Sequence, residues 1–393
     1  MDALGGLLAL SEGERGRRGL AHTPGEIAQQ PETWRRTFEG MRARAGEIRE
    51  FLTRAGVAGE EGGPATVYLV GAGTSDYIGR ALTSLLRREW GCEAQAVPST
   101  DLLTNVDEYV VPGRRYLWVS FSRSGDSSEG VAVIELALER HPQVRHLIIT
   151  CNAEGRMARD YAGREGVYCV VLDDAVNDRG LAMTSSFTNM VVAGQCLAHA
   201  RDLAAYGPTL EALAGAARSF LPGAADAAAR LAAEKFGKVC FLGTGALRAV
   251  AVESGLKVVE LTAGRVLTWS ESYLGVRHGP LSAVDDETLL VGYLSGDERR
   301  RSYELDLLRE VGGKRLAGRI LSVWPGEPPR GGESGEALSL GLPTEVEDLY
   351  RPPLDVIFGQ LFGLFCSLEQ GLTPDTPSPK GAISRVVTQV QIY

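Results

Sequence analysis

The chain has 393 residues, of which 44% are hydrophobic and 23% are charged. This composition excludes both a disordered chain and a small disulfide-framed domain. Acidic residues outnumber basic ones 50 to 41, so the basic footprint of most nucleic-acid binders is missing and we expect no nucleic-acid partner. At about 150 residues per domain, the length predicts two to three domains.

The six cysteines are too far apart for a CxxC metal or redox motif, and most lie in apolar runs typical of reduced core thiols. No histidine, cysteine and aspartate cluster has metal-ligand spacing, so we expect no metal and no cofactor. The longest apolar helix candidate, Val356–Gly371, is too short to span a bilayer. The N-terminus lacks a signal-peptide pattern, and the expectation is a cytoplasmic protein with no membrane partner.

Residues 1–55 predict an N-terminal helical arm. Apolar side chains recur there at the spacing of one helical face, namely at Trp34, Phe38, Met41, Ala45, Ile48 and Leu52. From Val67 onward, short apolar runs that end in glycine or serine alternate with amphipathic helices. Such runs are typical of a parallel sheet that is covered on both faces.

The same pattern then restarts. VCFLGTGAL (239–247) echoes VYLVGAGTS (67–75), with Gly71 and Gly243 lying 172 residues apart. We interpret this as a diverged tandem duplication. The predicted fold class is α/β, with two doubly wound parallel-sheet domains at 56–215 and 216–372 and a C-terminal tail at 373–393 that closes the site.

Two loops have the composition of a phosphate site. Gly73, Thr74 and Ser75 follow one strand in GAGTS, where glycines and a helix N-terminus favour an anion. SFSRSGDSSEG follows another strand and offers several hydroxyls and a cation, from Ser122, Arg123, Ser124 and Ser127. Taken singly, the first loop also fits a tight turn and the second a helix cap. Together, at neighbouring strand ends, they favour phosphate binding.

Two further features could supply acid–base chemistry. Glu253 and Glu260 are seven residues apart on one face of a predicted helix, with Lys257 between them. The alternative is a surface Glu253–Lys257 pair and a solvated Glu260. His278, in RHGP, lies in a strand-end loop and could shuttle a proton; alternatively, it caps a neighbouring segment.

These motifs together resemble the sugar isomerase (SIS) family. The shared features are tandem α/β units with GxGTS, SxSG, paired helical glutamates and an HGPL loop. Four stretches are similar to its AgaS-type group of tagatose-6-phosphate isomerases and galactosamine-6-phosphate deaminases: EIAQQPETW, SFSRSGDS, AMTSSFTNM and SRVVTQV. The chain also resembles the isomerase half of glucosamine-6-phosphate synthase, whose glutaminase half has no counterpart in residues 1–66.

The resemblance implies two flavodoxin-like SIS domains and a set of residue roles. The serine and threonine loops would hold a sugar phosphate, with Thr184 and Ser185 lining the same pocket. Glu260 would move the proton between C1 and C2, and Glu253 would either position the amino group or support Glu260. His278 would open the sugar ring, often from a partner subunit, which implies a homodimer or higher oligomer. Arg385 would join the residues that bind the sugar phosphate; it stands where synthase-like tails carry a lysine, and an arginine cannot form a Schiff base.

The expected activity is conversion of a hexosamine 6-phosphate, with galactosamine 6-phosphate favoured, to a ketohexose 6-phosphate and ammonia. One alternative is an isomerase or deglycase that acts on another sugar phosphate. Another is a non-catalytic sugar-phosphate sensor, which would need the serine loops but neither Glu260 nor His278.

Overall fold

A computed structural model describes residues 1–57, 65–327, 338–387 and 390–393. The strands in chain order are β1 (Thr66–Gly71), β2 (Ala94–Pro98), β3 (Tyr116–Ser122), β4 (Val144–Thr150), β5 (Val167–Val171), β6 (Lys238–Leu242), β7 (Leu267–Glu271), β8 (Thr288–Tyr293), β9 (Arg319–Pro325) and β10 (Leu338–Leu342).

The α-helices begin well before the first strand and then alternate with the strands. They are α1 (Ala3–Leu8), α2 (Glu12–Arg18), α3 (Thr23–Ala28), α4 (Gln30–Ala43), α5 (Ala45–Arg54), α6 (Thr74–Trp90), α7 (Ser99–Tyr109), α8 (Ser128–Arg140), α9 (Arg156–Arg159), α10 (Ser185–Ala198), α11 (Gly207–Ala233), α12 (Ala246–Leu261), α13 (Glu298–Gly313) and α14 (Pro352–Glu369).

The chain divides into two compact units, one around each sheet. The first-sheet unit comprises Glu32–Asp178, Ser185–Leu210 and Ile383–Tyr393. The second-sheet unit comprises Met1–Pro31, Arg179–Thr184 and Glu211–Ala382. The domain limits expected from the sequence stay a prediction.

Both sheets are fully parallel and have the same strand order. The first is β2-β1-β3-β4-β5, and the second is β7-β6-β8-β9-β10 when read from its opposite edge. In each unit the first strand therefore lies between the second and the third, which is the doubly wound order. The predicted α/β fold, with two tandem doubly wound sheets and a helical N-terminal arm, is confirmed.

The duplication extends to the backbone of the first strand–helix turn. Gly73 has φ 56° and ψ −128°, and Gly245 has φ 60° and ψ −126°. A positive φ of this kind favours glycine. A Cβ built on Gly71 or Gly243 would meet the backbone of the following helix at 2.4 or 2.1 Å. The sequence similarity between the two segments thus corresponds to a repeated turn, in which the end of the strand lies close to the backbone of the following helix.

The central strands and two helices form the cores. Every residue of β3 and β8 is buried, as expected for parallel strands covered on both faces. All of α10 and residues Pro352–Ser367 of α14 are buried as well. Among the helices that the structure describes, none combines the length and apolar character needed to cross a membrane.

The core of the first sheet contains a histidine with no polar partner. His146 is fully buried, and its ring meets the Trp118 ring edge-on at 5.5 Å between centroids. Neither imidazole nitrogen has a hydrogen-bond partner within the described ranges. Burial, assisted by the Arg145 charge, lowers the pKa of His146 from 6.5 to about 4. The imidazole is therefore neutral at physiological pH.

This burial predicts an acid-sensitive contribution to stability. Because the native pKa lies below the unfolded value, the unfolded chain binds the extra proton first as the pH falls below about 6.5. Between about pH 7 and about pH 4, the wild type should lose about 3 kcal/mol more unfolding free energy than His146→Leu. Urea unfolding across this range measures the difference, and parallel profiles would contradict it.

Candidate functional site

The serine-rich loop forms a compact turn at the end of β3. The Ser122 hydroxyl accepts the Gly125 N–H at 3.0 Å, and the Ser124 hydroxyl accepts the Asp126 N–H at 3.2 Å. Asn152, which the sequence analysis missed, donates to the Ser124 carbonyl at 2.8 Å. Gly125 has φ 66°, which favours glycine at the centre of the turn. The loop is thus fixed by its own hydroxyls and one neighbouring amide.

The GAGTS loop lies at the same edge of the first sheet. β1 and β3 are direct neighbours, and Val70 pairs with Ser120 one step before the two loops begin. Thr74 and Ser75 form the buried first turn of α6, and Ser127 occupies the position just before α8. The predicted residues therefore lie in loops that follow two neighbouring strands and lead into α6 and α8: Gly73, Thr74, Ser75, Ser122, Arg123, Ser124 and Ser127. Such an edge favours anions.

The C-terminal tail covers part of this edge. Arg123 is buried, and its guanidinium donates to the Arg385 carbonyl. The Ser128 N–H, in the first turn of α8, donates to the Val387 carbonyl at 3.2 Å. Two donors next to the predicted phosphate site are therefore used by the backbone of the tail.

Arg385 holds the tail in this position. Its side chain donates to the Asp178 carbonyl at 2.7 Å and to Asn177 Oδ1 at 2.6 Å. These contacts explain why an arginine, with its rigid fork of donors, suits this position. A contact between Arg385 and substrate stays a prediction. Residue 388 of the tail motif lies outside the described residues.

Ser185 and Thr184 flank the start of α10, and both are fully buried. The Asp178 carboxylate caps this helix by accepting the Ser186 N–H at 2.8 Å and its hydroxyl at 2.6 Å. The Ser185 hydroxyl accepts the Asn189 amide at 3.3 Å. Thr184 belongs to the second-sheet unit and Ser185 to the first. Their role in lining the pocket stays a prediction.

The most unusual feature of the second-sheet unit is a lysine between two glutamates on α12. Glu253 and Lys257 are both fully buried and form an ion pair at 3.2 Å. Lys257 Nζ also lies 2.6 Å from Glu260, whose side chain is 21% exposed. The alternative of a surface Glu253–Lys257 pair is therefore wrong, since the pair lies inside the protein.

The charge on Lys257 is maintained by its neighbours. Burial alone would lower the pKa of this ammonium, but the nearby carboxylates of Glu253 and Glu260 outweigh it and raise the pKa above 10.5. Lys257 is thus a fixed cation. The sequence indicates the ion pair by the spacing of four residues between Glu253 and Lys257. That spacing does not by itself distinguish a buried pair from an exposed one.

The fold does not require these charges. On α6, 172 residues earlier, Ala81 and Leu85 stand at the positions that match Glu253 and Lys257, and both are buried. Apolar side chains therefore suffice on this face of the duplicated helix. Charges buried at a cost in free energy, where the fold allows apolar residues, indicate a functional role.

His278 lies in the loop after β7. Arg277 anchors this loop to α13 by donating to Asp306 at 2.8 Å and to Glu310 at 3.0 Å. His278 itself is exposed, and its backbone N–H donates to the Gly275 carbonyl at 2.9 Å. Its predicted role in ring opening stays a prediction. In the parts of the chain that the structure describes, no three metal-ligating side chains are grouped closely enough to hold a metal ion.

Comparisons with known proteins agree with this organisation. A protein-family model described as the SIS domain matches residues 64–200. A Streptomyces coelicolor protein with the provisional name D-galactosamine-6-phosphate deaminase AgaS is 39% identical over 374 residues, 95% of either chain. The D-galactosamine-6-phosphate deaminase AgaS of Escherichia coli is 35% identical over 94% of this chain and 95% of its own length.

A solved structure agrees as well. The crystal structure of a tagatose-6-phosphate ketose/aldose isomerase from Escherichia coli is 33% identical to this chain, with a TM-score of 0.84. The match covers 92% of this chain and 95% of the other. The similarity therefore spans both sheets and is not restricted to the first.

The buried pair on α12 predicts a strong and asymmetric response to mutation. Lys257→Met should lower the unfolding free energy by about 3–5 kcal/mol, because it leaves the buried Glu253 carboxylate without a counter-ion. Adding Glu253→Gln to this variant should recover most of the loss. Urea denaturation measures both effects.

The matched control for this prediction is Lys238→Met, which removes a partly exposed lysine paired with Asp285. That loss should be much smaller than the loss in Lys257→Met, because water screens the exposed pair. Equal losses in the Lys257 and Lys238 variants would contradict a special role for the buried pair.

Proposed function

The chain belongs to the SIS-domain family, and we propose that it is an enzyme that converts a hexosamine 6-phosphate, with galactosamine 6-phosphate favoured, into a ketohexose 6-phosphate and ammonia. The observation that carries this proposal is the Glu253–Lys257–Glu260 set on α12. A partly exposed carboxylate held by a buried ammonium is suited to moving a proton. Relatives with deaminase and isomerase names support the same class of chemistry.

In this proposal the first-sheet loops bind the phosphate group. Hydroxyls of the two loops and the N-termini of α6 and α8 converge on one edge of the first sheet. Such donors stabilise a dianion by charge-assisted hydrogen bonds and by the helix dipoles. The phosphate contributes binding energy without reacting and so positions the sugar carbons.

The reaction proceeds as a proton transfer followed by hydrolysis. His278 promotes opening of the ring to the free aldehyde. Glu260 takes the proton from C2 while the C1 oxygen gains one, which gives an enolamine. The proton on Glu260 exchanges with solvent, Glu260 then delivers a proton to C1, and the C2 ketimine is hydrolysed to the ketone and ammonia. Lys257 orients Glu260 through the 2.6 Å contact, and Glu253 balances the charge of Lys257.

A plain ketose/aldose isomerase is the second candidate, favoured by the name of the similar Escherichia coli structure. It would use the same proton transfer between C1 and C2 on a sugar without an amine. A sugar-phosphate sensor would have no use for the buried charges on α12, since the apolar residues Ala81 and Leu85 stand on α6 at the positions that match Glu253 and Lys257. A cytoplasmic location and a homodimer that shares His278 between subunits remain part of the proposal.

The direct experiment is ammonia release from galactosamine 6-phosphate and from glucosamine 6-phosphate, assayed separately. We expect release from the galacto epimer at a higher kcat/KM. Tagatose 6-phosphate, which has no amine, reports the isomerase alternative through aldose formation. Ammonia from neither amino sugar would overturn the deaminase proposal, and turnover of tagatose 6-phosphate alone would leave the isomerase.

Glu260→Gln tests the assigned base. The variant should lose about 10²–10⁴-fold in kcat because the amide cannot accept the C2 proton. The KM for the phosphosugar should change little, since the phosphate loops are untouched. Steady-state kinetics measure both constants.

The control for the base is Glu234→Gln, which alters another partly exposed and ion-paired glutamate of the second-sheet unit. This variant should keep wild-type kcat. Full turnover by Glu260→Gln would remove the residue from the role of base.

A further inference from the structure

The second sheet repeats the Ser-Gly-Asp sequence of the serine-rich loop, although Gly125 has a positive φ of 66° and Gly296 does not. Ser295-Gly296-Asp297 follows β8, just as Ser124-Gly125-Asp126 follows β3, with 171 residues between matching positions. β3 and β8 are the corresponding strands of the two sheets. The second sheet therefore presents backbone and hydroxyl donors at the place where the first sheet carries its predicted phosphate site.

In the second sheet these donors are bound to a carboxylate of the chain itself. The Ser295 N–H donates to one Glu304 oxygen at 2.7 Å, and the Ser295 hydroxyl donates to the other at 2.8 Å. Glu304 is only 1% exposed. The geometry is that of an enclosed carboxylate held by two donors of one serine, its backbone N–H and its hydroxyl.

The next donor of the turn is used in the same way. The Gly296 N–H donates to Asp348 Oδ1 at 2.8 Å. Asp348 in turn binds the buried Arg351 at 2.8 Å. The Asp348 carboxylate, whose charge is balanced by the Arg351 guanidinium, is thus the acceptor for the Gly296 N–H.

The two sheets carry different residues at the corresponding positions around this turn. Val133 of α8 matches Glu304, so α8 offers no carboxylate at the position from which Glu304 reaches Ser295. Conversely, Ser122 and Arg123 match Tyr293 and Leu294, so the second sheet lacks that hydroxyl and that cation. The second-sheet unit thus has neither the serine nor the arginine of the first-sheet loop, and it has the Glu304 carboxylate instead.

We propose that the turn after β8 is a second oxyanion site, and that the Glu304 carboxylate is its permanent ligand. When Glu304 is removed, this site binds a small free carboxylate such as formate. A tethered carboxylate has a high effective concentration, so a free anion does not displace it from the wild type. The inference concerns the second-sheet unit alone and does not depend on the reaction proposed above.

Chemical rescue of Glu304→Ala tests this site. The variant loses the anion and should melt roughly 3–10 °C below the wild type, because the buried N–H and hydroxyl of Ser295 are left without an acceptor. Formate should raise its Tm, relative to chloride at equal ionic strength, by several degrees more than it raises the Tm of the wild type. The comparison with the wild type removes any effect of formate at the first-sheet loops.

The matched control is Leu307→Ala, which leaves a cavity on the same helix at a fully buried apolar position. This variant should be destabilised but should gain no more from formate than the wild type does. An equal gain in both variants, or no gain in Glu304→Ala, would overturn the proposal.

Glu304→Gln covers the case in which the alanine variant does not fold. The amide keeps the shape of the side chain but offers one acceptor oxygen to the two Ser295 donors. We expect a Tm below the wild type at neutral pH. A Glu304→Gln protein as stable as the wild type would show that the site does not need an anion, and it would overturn the proposal.

Discussion

The structure depends on one constraint that parallel α/β units share. Where a strand ends and a helix begins, backbone N–H groups meet at the sheet edge and require acceptors. The duplication creates this requirement twice. In the second-sheet unit the carboxylates of Glu304 and Asp348 satisfy it from within. In the first-sheet unit hydroxyls of the loop and carbonyls of the tail do so at the turn after β3.

The second half of the duplication carries charge on the helix after its first strand. The first half buries Ala81 and Leu85 there, whereas the second buries Glu253 and Lys257. Because the same fold accepts both sets, the charged set is a departure from what stability alone favours. The first-sheet unit therefore carries the loops to which we assign phosphate binding, and the second-sheet unit carries the residues that we assign to proton transfer.

Much of this architecture could be predicted from the sequence. Apolar runs that end in glycine or serine indicated both parallel sheets, and the GAG and GTG turns indicated the repeat. The burial of Lys257 could not be predicted, because its spacing from Glu253 fits an exposed pair equally well. Whether that face is covered depends on α14, which packs against α12 from more than 90 residues further along the chain.

The contacts of Glu304 and Arg385 could not be predicted either. Glu304 reaches Ser295 only because α13 turns back over the end of β8, and helical periodicity does not fix that direction. The sequence also suggested Arg385 as a substrate contact by its place in a motif. The structure gives its donors to the backbone and side chain of residues 177 and 178, more than 200 positions earlier. Such long-range polar contacts leave no local signature.

In the proposed reaction this chain moves a proton between C1 and C2 of a phosphosugar. The most direct measurement is the exchange of the C2 hydrogen of galactosamine 6-phosphate for deuterium in D2O, followed by NMR during turnover. The account predicts that the product ketohexose 6-phosphate carries deuterium at C1 and that residual substrate gains it at C2. Ammonia release with no deuterium in either compound would contradict a solvent-exchanging carboxylate as the base.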